Sequence, residues 1–308
     1  MILDAWIDET AGKGIVGNLE QSRDHDFALF VALLIREDER NSIHNALLAP
    51  YKKFKEHTPP GEKIHITDAF TLKEDHSPKY PEWFKAAKEA RDDIFATLKQ
   101  YGRRVIYGAR RFELARSTGE LGFKIRQEAK NNVETRQGNI RFAQVRKSSD
   151  RVDGEAFRDL VFLMRVGAAE FQATRVQPIM DHVDQALLQN YQTEIKETDL
   201  NRSYEITSKA FNTETKRQVI KHGEFTVTGP HQLHDDPAVK VVILDPKIDD
   251  DVGPELLAVD IVANSLAKHL YELAADANLY GPDATKDWKH AGVLALSNEE
   301  AAIAFGLY

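Results

Sequence analysis

Nine consecutive apolar residues, Phe27 to Ile35, restrict the fold more than any other feature of this chain. A strand with one wet face alternates apolar and polar residues, and this run does not. It is also far shorter than the roughly 18 residues that a membrane-spanning helix requires. The remaining solution is a central strand covered on both faces, which demands packed layers above and below it. The chain of 308 residues, 42% hydrophobic and 29% charged, can supply them. A chain of this length buries roughly 75% of its unfolded surface, so one large domain is affordable.

Around that strand the sequence reads as α/β. Met1–Ile7 is a short apolar strand ending at Asp8 and Glu9, and it is expected to pair antiparallel with Phe27–Ile35. The connection between them is rich in glycine (Gly12, Gly14, Gly17) and lacks the helical pattern of a crossover. Helices are expected from Ser42 through Phe54, over Lys79–Tyr101, Glu155–Phe171 and Asp184–Glu197, and from Glu255 to about Ala275, where Pro254 suits the first turn. Further strands are read at Lys63–Ile66, Arg104–Tyr107, Arg175–Met180, Glu224–Thr228 and Ala238–Leu244. Pro178 argues for an edge or a bulge in Arg175–Met180. Leu121–Arg136 is weakly helical, the stretch after Asn201 has no clear pattern, and Glu299–Phe305 is a short helix candidate. A mixed sheet flanked by helices is the expected fold, over residues 1–276. It carries a mostly helical basic insertion around 80–150 and a C-terminal extension over 277–308.

Composition removes several function classes. Cysteine is absent, which excludes disulfides, thiolate nucleophiles and zinc fingers and fits a reducing cytoplasm. The first residues carry acids where a signal peptide needs a basic region, so cytoplasmic location is expected, without a membrane anchor. The net charge of -8 hides an asymmetry: residues 101–150 hold twelve Lys or Arg against five Asp or Glu. Arg103, Arg104, Arg110, Arg111, Lys124 and Arg126 are the candidate contacts to a nucleic-acid backbone. Self-association is compatible with the sequence, which offers no argument for it.

Candidate chemistry rests on acids at strand ends. Asp8 and Glu9 close the first strand. Asp260 lies in a helix turn whose neighbours, Leu256, Leu257, Val259 and Ile261, are apolar on every side. An ionised carboxylate there costs several kcal/mol unless it finds a partner. Asp181 follows Arg175–Met180 directly, Asp184 suits the cap of the next helix, and His65 and Asp68 form a third cluster. Acids gathered in this way raise one another's proton affinity unless a cation is present. An oxygen-only set suits Mg²⁺ or Mn²⁺, and two such ions serve phosphoryl transfer to water. On this reading Asp8, Asp181 and Asp260 are catalytic ligands, Glu9, Asp68 or Asp184 adds a further one, and His65, with its near-neutral ordinary pKa, carries protons.

Three segments, Trp6-Ile7-Asp8-Glu9-Thr10-Ala11-Gly12, His65-Ile66-Thr67-Asp68 and Pro254-Glu255-Leu256-Leu257-Ala258-Val259-Asp260-Ile261-Val262-Ala263-Asn264, resemble in order the bacterial family catalogued as domain of unknown function 3800. The likeness spans about residues 3 to 270. It implies a ribonuclease-H-like core with Asp8 on the first strand and Asp260 on the last helix. Thr10-Ala11-Gly12 departs from the family's Ser-Gly after the acids, Asp68 stands in place of a glutamate, and the residues before Asp260 differ from the usual Leu-Gln-Leu-Ala. The function expected is metal-dependent phosphodiester hydrolysis. The alternatives are a non-catalytic interaction or regulatory protein on the same fold and a phosphohydrolase of small substrates. Gly12-Lys13-Gly14-Ile15-Val16-Gly17 has dinucleotide-fingerprint spacing, but no convincing helix follows it, so that reading is set aside.

Overall fold

The computed structural model describes residues 1–10, 27–102, 104–142, 152–181, 183, 185–198, 202–227, 240–249, 251–273, 277–280 and 282–294. In chain order the elements are β1 (Ile2–Thr10), β2 (Phe27–Arg36), α1 (Arg40–Glu56), α2 (Ile66–Ala69), α3 (Pro81–Gln100), β3 (Val105–Arg111), α4 (Phe112–Gln137), β4 (Ile140–Phe142), α5 (Val152–Glu170), β5 (Arg175–Met180), α6 (Gln185–Glu197), β6 (Arg202–Asn212), β7 (Arg217–Val227), β8 (Val242–Ile243), β9 (Lys247–Ile248), α7 (Pro254–Glu272) and α8 (Pro282–Thr285).

A mixed sheet in the order β3-β2-β1-β5-β8, with β9 also on β5, forms the centre. β1 and β2 pair antiparallel, with Asp8 opposite Val31, and β3 continues antiparallel on β2. β5 lies parallel to β1, and β8 and β9 lie parallel to β5. The apolar run of β2 is buried on both faces. Phe27, Leu29, Val31, Leu33 and Ile35 pack with α1, α3 and α7, while Ala28, Phe30, Ala32 and Leu34 pack with α5 and α6. α5 approaches β3 so closely that a Cβ on Gly108 would stand 2.1 Å from the Ala156 carbonyl oxygen, so only glycine fits there. α7 is buried all round its first turns, from Pro254 to Ala263. Such a helix belongs in an interior, here between the sheet and α1 and α3.

Several local readings are corrected. Lys63–Ile66 is not a strand: its last residue begins α2. Pro178 does not push β5 to the rim. Val176 and Met180 turn their carbonyls outward to Leu244 and Asp249, so the proline nitrogen between them faces the gap that separates β8 from β9. Of the predicted strand Ala238–Leu244, residues 238–239 lie outside the described residues, and the described part pairs only over β8, at the sheet edge where Val242 is 54% exposed. Residues 202–227, which show no clear pattern in sequence apart from Glu224–Thr228, form a long antiparallel hairpin, β6 with β7, joined by β4 in a second sheet. At its tip the Asn212 side chain accepts from the Glu214 and Thr215 amides, and Lys216 has a φ of 56°. The glycine-rich stretch 12–17 and Glu299–Phe305 lie outside the described residues. Among the described residues no helix is long and apolar enough to cross a membrane.

Candidate functional site

Side-chain alternation along β1 sorts its acids. Leu3, Ala5, Ile7 and Glu9 face α5 and α6, where the Tyr191 hydroxyl donates to Glu9 Oε2 at 2.7 Å. Asp4, Trp6 and Asp8 face the other way, toward α7. Asp4 is 3% exposed and is neutralised by Arg40 at 2.5 Å. Asp8, at the far end of the same row, lies within the electrostatic reach of the Asp260 carboxyl instead.

Asp260 is carried to that position by α7 and is 7% exposed. The Ile66 amide, at the start of α2, donates to its Oδ2 at 2.7 Å, and His65 Nε2 stands 3.6 Å from its Oδ1. The Thr67 hydroxyl is hydrogen-bonded to His65 Nδ1, which holds the ring with Nε2 toward the carboxylate. His65 keeps 41% of its side chain in solvent, and Asp8 is itself partly exposed. The four-residue α2 thus delivers an amide donor and an imidazole to one buried acid. Asp68 and Asp181 add their negative charges to the surroundings of Asp260.

Burial and like charge set the protonation of this pair. Desolvation, and then the neighbouring charge of Asp260, push Asp8 well above the usual carboxylate range, against the pull of His65 and the Glu9 amide. Asp260 is pushed up to about 7, by burial first and then by Asp68 and Asp181, with the Ile66 amide pulling it down. Two carboxyls that raise each other's proton affinity, one of them to about 7, hold a proton near neutrality. One of them can then donate while the other accepts, the division of labour that acid–base catalysis requires.

Among the described residues no three His, Asp or Glu side chains stand in an arrangement that could hold a metal ion. The expected Mg²⁺ or Mn²⁺ centre on Asp8, Asp181 and Asp260 is therefore overturned, and with it metal-dependent phosphodiester hydrolysis. The physical reasons are local. Glu9 is turned to the opposite face of the sheet, and Asp260 commits Oδ2 to an amide and presents Oδ1 to His65. Asp68 and Asp181 act on Asp260 through their charge. Asp184 lies outside the described residues.

The basic residues separate into two groups. Arg104 is 5% exposed and donates to Glu39 at 2.9 Å and to the Tyr101 carbonyl at 2.8 Å. Arg110 donates to Asp159 at 2.8 Å, and Arg111 to the Ala277 carbonyl at 3.1 and 3.2 Å. These three hold β3 to its surroundings. Lys124 and Arg126 are exposed on α4, and Arg103 lies outside the described residues. Sequence reasoning missed two contributors to the acid pair. The Ile66 amide carries no side-chain signal at all, and the only hint of Thr67 is its position two residues after His65.

No family model, curated protein or solved structure matches the chain. The likeness to the family of domain of unknown function 3800 therefore stands on its quoted motifs alone, and the nuclease and metal-binding terms attached to it fall with the metal centre.

Proposed function

We propose that the chain is an acid–base hydrolase acting on an uncharged or cationic substrate at the Asp8–Asp260 pair, on a ribonuclease-H-like core. Support for the core comes from the sheet, in which β3, β2 and β1 alternate in direction and β5 and β8 then run parallel to β1. The observation that carries the function is the buried Asp260 carboxyl on α7, whose charge raises the proton affinity of the partly exposed Asp8 on β1, with a solvent-facing imidazole 3.6 Å from Asp260. His65 takes a proton from water as its oxygen bonds to the scissile acyl carbon. The carboxyl pair gives its shared proton to the leaving group as that bond breaks. The imidazolium then returns its proton to Asp260, which restores the starting state. Asp68 and Asp181 surround the pair with negative charge, so an anionic substrate is repelled and a cationic one is drawn in.

The test is hydrolysis of chromogenic esters carrying neutral, cationic and anionic acyl groups, by the wild-type chain and by Asp8→Asn, Asp260→Asn and His65→Gln. A general acid or base contributes typically 10²–10⁴-fold, so each variant should lose about a hundredfold or more, with the anionic ester poorest throughout. Chelator should leave the rate unchanged. Equal rates in the variants, a preference for the anionic ester or a chelator-sensitive rate would each overturn the reading.

A further inference from the structure

On the opposite side of β5 from this site, the main sheet ends at β8. The Val242 and Leu244 amides donate inward to Thr174 at 3.0 Å and Val176 at 2.9 Å, so the alternate residues Val241 and Ile243 turn their backbone groups outward. Among the described residues no strand pairs with that outer edge. A cavity of about 340 Å³ lies along it, lined by Lys240–Asp245 together with Arg165, Ile195 and Lys196. Arg165 is 5% exposed, and its Nη1 donates to the outward Val241 carbonyl, so a buried guanidinium stands at the edge itself. Lys196 and Lys240 add two exposed cations from α6 and from the start of the edge segment. Asp245 is the one acid of the lining and marks its far end.

The two faces of this edge differ. Toward α5 and α6, Val241 and Ile243 are buried beside Arg165 of α5 and Lys196 of α6; on the other face Val242 is 54% exposed. A strand added here would turn alternate side chains to these two faces. We propose that the edge receives an extended acidic segment of a partner protein, whose acids at every second position face Arg165 and Lys196, with Lys240 adding its charge at the start of the edge, and whose apolar residues between them cover Val242. Backbone pairing to Ile243 sets the register, and the charge pattern selects the partner. This surface is separate from the Asp8–Asp260 pair and does not depend on its function.

The probe is an acetylated hexapeptide alternating glutamate and valine, titrated into the full chain by calorimetry. Saturable binding is expected, weakened about tenfold by high salt and lost in the exposed-site double variant Lys196→Glu, Lys240→Glu. Methylating the peptide amides along the edge that pairs with Ile243 should abolish binding, whereas methylating the other edge should not. A peptide with lysine in place of glutamate should not bind. No heat up to millimolar peptide, equal binding of the lysine peptide, or indifference to which edge is methylated would overturn the proposal.

Discussion

Asp260 and Asp159 are buried in helices on opposite faces of one sheet, and burial is the largest influence raising the proton affinity of each. Their surroundings then diverge. Asp159, on α5, accepts from Arg110 at 2.8 Å and from the Tyr280 hydroxyl at 2.8 Å, and Arg110 also faces Glu155 at 3.5 Å. The guanidinium pulls the Asp159 carboxyl back toward ionisation, and the Tyr280 hydroxyl ties the same network to the backbone of Ala109. Asp260 receives one amide and an imidazole, against three acids, Asp8, Asp68 and Asp181. A buried acid with a full complement of cationic and hydroxyl donors is a strut; one placed among other acids stores a proton. Burial alone does not tell them apart, since both are under a tenth exposed.

The comparison breaks most visibly at Arg110. Replacing it by methionine should leave Asp159 buried without its cation and cost about 3–5 kcal/mol in urea unfolding at neutral pH. Adding Asp159→Asn should recover part of that loss, and a double variant no better than the single would refute the strut.

Asp260→Asn should act in the opposite direction. The folded-state pKa, about 7, lies above the ordinary value of 3.8, so the folded chain holds a proton that the unfolded chain has released between these values. Wild-type stability therefore falls as pH rises from about 4 to about 7, and the asparagine variant avoids the loss. The gain should be on the order of 2–4 kcal/mol above pH 7 and vanish near pH 4. Thermal unfolding at both pH values checks it, and a variant less stable at pH 8 would contradict the proton-storing role.

A smaller effect sharpens the cause. Asp181→Asn and Asp68→Asn should each lower the midpoint of Asp260 by up to about one unit, read from its side-chain carbon shift; a midpoint that does not move would assign the perturbation to burial alone. The smallest effect is expected at the surface pair Lys53–Glu89, 2.5 Å apart but solvent-exposed. There Glu89→Gln should produce no resolvable change in the unfolding midpoint.

Much of this is legible in the amino-acid sequence. The unbroken apolar run of β2, the strand that ends in Asp8 and the apolar helix turn around Asp260 mark positions where one residue's chemistry conflicts with its neighbours. The β6–β7 hairpin was not legible, because its strands are polar and owe their order to pairing with each other rather than to an apolar pattern. Within the described residues the strand at β8 is shorter than its Val/Ile run predicts for the converse reason: Val and Ile favour strands, but an edge position leaves Val242 in solvent.

Local sequence determined which residues would be costly to bury and which face of β1 each acid would occupy, since both follow from side-chain chemistry and a period of two. Only tertiary structure decided what those acids would meet. Packing α7 on β1 brought Asp260 within electrostatic reach of Asp8, and the loop entering α2 supplied the Ile66 amide and His65. Arg110, from the candidate nucleic-acid strip, became the partner of Asp159. Charge energies depend on distance and on the polarity of the medium between the groups, and neither is defined until elements far apart in the chain have packed together.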